Sequence, residues 1–87
     1  MAVYNLAVKK SAAKEIESIE PAAVRRRIVA RIRALAAEPR PAGSEKLAGS
    51  PDLLRVRQGP YRILYRIDDA EQRIEIVKVG HRREVYR

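Results

Sequence analysis

The apolar residues of this chain change period at Leu53, and that switch limits the folds open to it. From Leu53 onward they recur at every second position. Tyr61, Ile63, Tyr65 and Ile67 alternate with Arg62, Leu64 and Arg66, as a strand with one buried face requires. Before Leu53 the spacing is three and four. Ala12, Ile16 and Ile19 form one stripe, and Val24, Ile28, Ile32 and Leu35 form a second. Two helices followed by a run of strands is an α+β plan, with the helices gathered on one side of the sheet.

The punctuation supports this plan. Residues 3–8 read as a short first strand, and Ser11 can cap the helix that follows, with Glu15 in its first turn. Glu20-Pro21 ends that helix and starts the next, because proline is tolerated in a first helical turn. Pro39 and Pro41 stop the second helix. Residues 39–52 read as a loop holding Lys46, Leu47 and Gly49, pinned to the core by Leu47. Strands follow at 54–57, 61–68 and 73–79, joined by the tight Gln58-Gly59-Pro60 connection and a turn at 68–71. The expected fold is a helical hairpin packed on a mostly antiparallel four-stranded sheet, in the order β-α-α-β-β-β. One domain spans 1–87. The sheet face away from the helices is expected to stay open and to carry arginines.

Composition narrows the function. Aromatic residues are 5% of the chain, with no Phe and no Trp, so Ala, Val, Ile and Leu must build the core. Net charge is +8, and arginine supplies 14 of the 19 basic residues. Guanidinium groups fork onto phosphate, so this bias favours a polyanion or an acidic protein as partner. With no cysteine and one histidine, neither a disulfide frame nor a thiolate or His-rich metal site is expected. No apolar run approaches the ~18 residues of a membrane span. Residues 1–8 are too short for a signal peptide, so a cytoplasmic location is expected, with no membrane partner.

Two regions can carry chemistry. Arg55 and Arg57 share one strand face, and Arg62 can join them across the tight turn. Between Arg55 and Arg87 there are five acids against nine bases, so internal pairing with Asp68, Glu75 and Glu84 cannot neutralise them all. A phosphate seated among them would. The tail, Gly80-His81-Arg82-Arg83-Glu84-Val85-Tyr86-Arg87, adds the only histidine. Histidine is the side chain best suited to move a proton near neutral pH, although a lone histidine is often structural. Tyr86 can stack on a base or pack on the sheet edge. Arg25, Arg26, Arg27, Arg31 and Arg33 read as a solvated helix face that an acidic partner could use.

The Lys46-Leu47-x-Gly49 loop, "PYRILYRIDD" and "VGHRREVYR" resemble the RelE family of bacterial toxins, and the resemblance runs over nearly the whole chain. It implies the toxin of a type II toxin–antitoxin pair. Such a toxin enters the ribosomal A site and cuts mRNA without a metal or other cofactor, the ribose 2′-hydroxyl attacking the adjacent phosphate. By the same resemblance, the family's strand lysines fall on Arg55 and Arg57 and its phosphate-binding arginine on Arg62. Its last-strand arginine falls on Arg82 and its closing tyrosine on Tyr86. His81 stands where the best-known member has lysine. Arginine cannot serve as a base, so proton transfer is assigned to His81. The expected catalytic set is His81, Arg82, Arg62 and Tyr86, with Arg55, Arg57 and Arg83 binding substrate. The partner implied is a RelB-like antitoxin with acidic, amphipathic helical segments, and operator DNA is met only through that complex. The chain ends at Arg87 without the C-terminal helix some members carry, so neutralisation by wrapping is expected. Two other readings stay open: a ParE-like inhibitor of DNA gyrase, and a non-catalytic module that only binds antitoxin and operator.

Overall fold

The computed structural model describes residues 3–81. The elements run β1 (Asn5–Val8), α1 (Lys10–Glu17), α2 (Ala22–Ala37), β2 (Glu45–Leu47), β3 (Ser50–Gln58), β4 (Tyr61–Asp68) and β5 (Arg73–His81). They form one sheet in the order β1-β5-β4-β3-β2. β1 pairs parallel to β5, and every other pairing is antiparallel.

The α+β expectation holds, with one more strand than the four expected. The extra strand is β2, which lies inside the stretch read as loop. Three residues are too few for periodicity to register. What reveals β2 is its partner: Glu45 stands opposite Arg55 and Lys46 opposite Leu54. β3 also begins at Ser50, earlier than the alternation alone indicates.

The two helical stripes meet the sheet where the spacing put them. Ala12, Ile19, Ile28, Ile32 and Leu35 pack with Leu54, Val56, Ile63, Tyr65, Ile74, Ile76 and Val79 in one core, with Ile16 and Val24 at its margin. Ser11 does not cap α1. The helix starts one residue earlier, at Lys10, and Lys9 occupies the cap position without a side-chain bond. Between β3 and β4, Gly59 has a φ of 59°. A two-residue hairpin of the II′ kind needs a positive φ at its first central position, which glycine adopts without strain.

Tyr65 is fully buried, and its hydroxyl donates to the Pro39 carbonyl oxygen at 2.7 Å. One residue thus fills the core and ties the end of α2's connecting loop to the sheet. Burial pushes its phenol above the usual tyrosine range.

A second tie lies on the surface. Asp69 accepts from Tyr4 Oη at 2.6 Å and from Arg40 Nη2 at 2.9 Å, joining the start of β1, the loop after α2 and the β4–β5 turn. The Arg40 guanidinium, helped by Tyr4, holds the Asp69 carboxyl below the usual aspartate range. A carboxyl depressed in the folded chain stabilises above its unfolded pKa, and that contribution is lost as pH falls through the folded value. Asp69→Asn should therefore flatten the acid limb of a plot of Tm against pH, leaving the neutral-to-alkaline limb parallel to the wild type. An unchanged acid limb would show that the tie contributes nothing.

Candidate functional site

The face of the sheet away from the helices carries the arginines, as expected. Leu54 and Val56 point into the core, which sends Arg55 and Arg57 outward. Ile63 and Tyr65 do the same for Arg62. Register then places Arg57 directly opposite Arg62, and Arg62 directly opposite Gly80. Two guanidinium groups facing each other across a strand pair repel, and an anion between them relieves the repulsion. Gly80 offers no side chain to fill the space beside them. This is the strongest anion seat in the described residues.

Arg55 belongs to the same face but is engaged by Glu45 of β2 in a salt bridge. Its expected acid partners, Asp68 and Glu75, lie elsewhere; Glu75 pairs with Arg66 at 3.4 Å. The next row holds a residue the alternation placed outward and that is nonetheless buried: Leu64 is 5% exposed. Arg55 stands opposite it on one side and Lys78 on the other. Long cationic stems cover apolar surface in this way while their charges stay wet.

His81 is on the other face. A β-bulge explains why. Tyr65 pairs with Ile76 but Leu64 pairs with Lys78, so Val77 is an inserted residue. The insertion re-phases β5: Ile74 and Ile76 face the core, and so does Val79, three positions on. His81 then follows Val79 onto the helix side, opposite Tyr61. The two rings meet edge to face, 5.9 Å between centroids at 77°. His81, Tyr61, Val79 and Gly80 line a cleft of about 350 Å³ against Glu15, Ser18 and Ile19 of the first helix and its connection. The described residues therefore bring Arg57 and Arg62 together and separate His81 from them. Arg82, Arg83 and Tyr86 lie outside the described residues.

Glu15 has a role the sequence did not disclose. β1 covers β5 only from Arg73 to Ile76, so the rest of that edge has no neighbouring strand. Glu15 takes the strand's place: Oε1 accepts the Val79 N–H at 3.1 Å, and Oε2 accepts from Lys78 Nζ at 3.3 Å. It is not the acid of a capped first turn; it holds the end of β5 to α1. Glu15→Ala should cost about 1–2 kcal/mol by leaving a half-buried amide without its acceptor. It should also speed hydrogen exchange at Val79. Glu15→Gln keeps an acceptor and should restore most of the protection. Equal exchange in all three proteins would remove Glu15 from this role.

The comparisons with known proteins agree with this geometry. A family model described as the ParE toxin of type II toxin-antitoxin system, parDE, matches residues 6–86. The chain belongs to this family of type II toxins. Toxin RelG of Mycobacterium tuberculosis is 45% identical over 42 residues, a match spanning 48% of this chain and 45% of that relative. Among solved structures, the toxin is similar to the RelBE2 toxin–antitoxin complex of Mycobacterium tuberculosis, at TM-score 0.82 and 27% identity, covering 94% of both chains. It is also similar to the archaeal RelE–RelB complex of Pyrococcus horikoshii OT3, at TM-score 0.80 and 31% identity, covering 94% of the toxin and 98% of that chain. The isolated Escherichia coli RelE toxin matches at TM-score 0.77 and 28% identity, over 95% and 90% of the two chains. The toxin thus stands in the RelE/ParE superfamily, sharing with RelE the two helices on a mostly antiparallel sheet. Among the described residues, no helix is long and apolar enough to cross a membrane.

Proposed function

We propose that this toxin is an mRNA endonuclease acting on ribosome-bound message in the cytoplasm, neutralised by a RelB-like antitoxin and meeting operator DNA only in that complex. The observation that carries the reading is Arg57 opposite Arg62 beside Gly80 on an uncovered sheet face. The similar RelE toxins solved with RelB support the partner.

In this reading the scissile phosphate sits between Arg57 and Arg62. The ribose 2′-oxygen attacks phosphorus, the bond from phosphorus to the 5′-oxygen breaks, and the products are a 2′,3′-cyclic phosphate and a 5′-hydroxyl. The 2′-hydroxyl proton goes to a base, and the leaving 5′-oxygen takes one from an acid. The guanidinium groups, Arg82 with them, neutralise charge growing on the phosphorane-like transition state. Arg55 and Arg83 hold flanking phosphates, and Tyr86 stacks on a base. His81 is the proton carrier. From its place opposite Tyr61 it serves only if the message passes over the end of β5 at Gly80, where the two faces meet. No metal or cofactor enters the scheme.

One observation favours a second reading. His81 on the helix side, apart from Arg57 and Arg62, suits a ParE-like toxin that inhibits DNA gyrase and cuts nothing. A cell-free translation reaction and a supercoiling assay run on the same protein decide between them. Translation should stop and supercoiling continue. Blocked supercoiling with unimpaired translation would replace the nuclease reading with the gyrase one. If both proceed, the chain is a non-catalytic module.

A further inference from the structure

Helix α2 presents to solvent a surface that the proposed reaction does not use. From Ala22 to Ala37 it carries five arginines and no acid. Arg25 is committed, its Nη1 donating to the Ile19 carbonyl oxygen at 3.0 Å and fixing the connection between the helices. Arg26 and Arg33 are exposed. They lie seven positions apart, two turns along one helical face. Between them Val29 and Ala30 form an apolar floor, and the four residues with Arg25 line a shallow groove of about 510 Å³. Among the described residues, neither Arg26 nor Arg33 enters an ion pair.

We propose that this groove seats an acidic amphipathic helix of the antitoxin. The inference rests on the reading above that an antitoxin is the toxin's partner. It adds where one of its helices docks and which side chains select it. Charge complementarity names the occupant. Carboxylates two turns apart on the incoming helix meet Arg26 and Arg33, and an aliphatic side chain between them covers Val29. Ala30 is small enough for the two helix backbones to approach closely. Nucleic acid is the poorer fit. A phosphate backbone needs cations alone, and the apolar floor between these two would stay wet beneath it. The groove lies on the outside of α2, across the core from Arg57 and Arg62. A helix bound there leaves the candidate anion seat to be covered by another part of the same antitoxin.

The test is the affinity of the toxin for the antitoxin produced with it, measured at low and high salt. Arg26→Glu/Arg33→Glu should weaken binding by at least about tenfold and flatten its salt dependence. Val29→Asp should weaken it similarly. Arg26→Gln/Arg33→Gln, a milder change on exposed positions, should lose less and keep the wild-type Tm, which separates docking from folding. Translation arrest by the same variants, free of antitoxin, should equal the wild type. Wild-type affinity in all of these variants would overturn the proposal. So would wild-type affinity with translation arrest lost, which assigns the surface to RNA. A wild-type toxin that binds no antitoxin overturns the partner reading first, and the docking site with it.

Discussion

Arg62→Ala should lower cleavage of ribosome-bound message about 100-fold or more, with little change in stability. Removing one well-placed donor from a transition-state anion commonly costs this much. Arg62 is the centre of its row, between Arg57 and Gly80, so no neighbour on that row can take over its role. Arg62→Lys should recover part of the rate, since it restores the charge but not the fork. Stability should change by no more than about 1 kcal/mol, because deleting one of two like charges facing across a strand pair also removes their repulsion. Rates from quantified cleavage products, read beside urea midpoints, separate the two effects. Loss of activity that tracked loss of folding would reduce Arg62 to a structural residue. Unchanged cleavage would move the anion seat elsewhere.

Tyr65→Ala should be the most damaging single substitution for the fold. Tyr65 has no exposed surface, lies at the middle of β4 and is the largest fully buried side chain among the described residues. Truncating a buried aromatic costs roughly 3–5 kcal/mol. A chain of this length has a total stability on the order of 5–10 kcal/mol. The variant should therefore unfold at much lower urea with an unchanged slope. Tyr65→Phe keeps the ring and removes only the bond to Pro39, for about 1 kcal/mol. If the two variants unfolded together, the hydroxyl rather than the buried ring would be the stabilising part. If neither differed from the wild type, the core assignment would be wrong at its centre.

The fold is legible wherever one period runs uninterrupted. The stripe Val24-Ile28-Ile32-Leu35 and the alternation from Tyr61 to Ile67 each carry enough turns or residues to name the element and its buried face. β2 is not legible, because its signal lies in the residues it pairs with and not in its own three. Local context makes Glu15 a first-turn acid, whereas its partners are 63 and 64 residues away.

The candidate site divides in the same manner. Arg55, Arg57 and Arg62 sit on one face because β3 and the start of β4 keep strict alternation through a two-residue turn. Continuing that alternation along β5 from Ile74 puts positions 77, 79 and 81 on the arginine side, which groups His81 with them. The bulge at Val77 reverses the sides for everything after it. The sequence holds a hint: Ile76 and Val79 are three apart within a strand, and both are apolar enough to need burial. One inserted residue is what moves the histidine from the phosphate seat to the cleft beside Tyr61.

The most direct measurement is a map of new RNA ends. The wild-type toxin and His81→Ala are added to a translation reaction, and primer extension locates fresh 5′ ends on the message with and without ribosomes. Cuts should appear only on ribosome-bound message, leaving a 5′-hydroxyl on one fragment and a 2′,3′-cyclic phosphate on the other, and should be strongly reduced in His81→Ala. Intact message at toxin concentrations that arrest growth would contradict the nuclease reading outright. Full cutting by His81→Ala would keep the nuclease and remove the histidine from its chemistry.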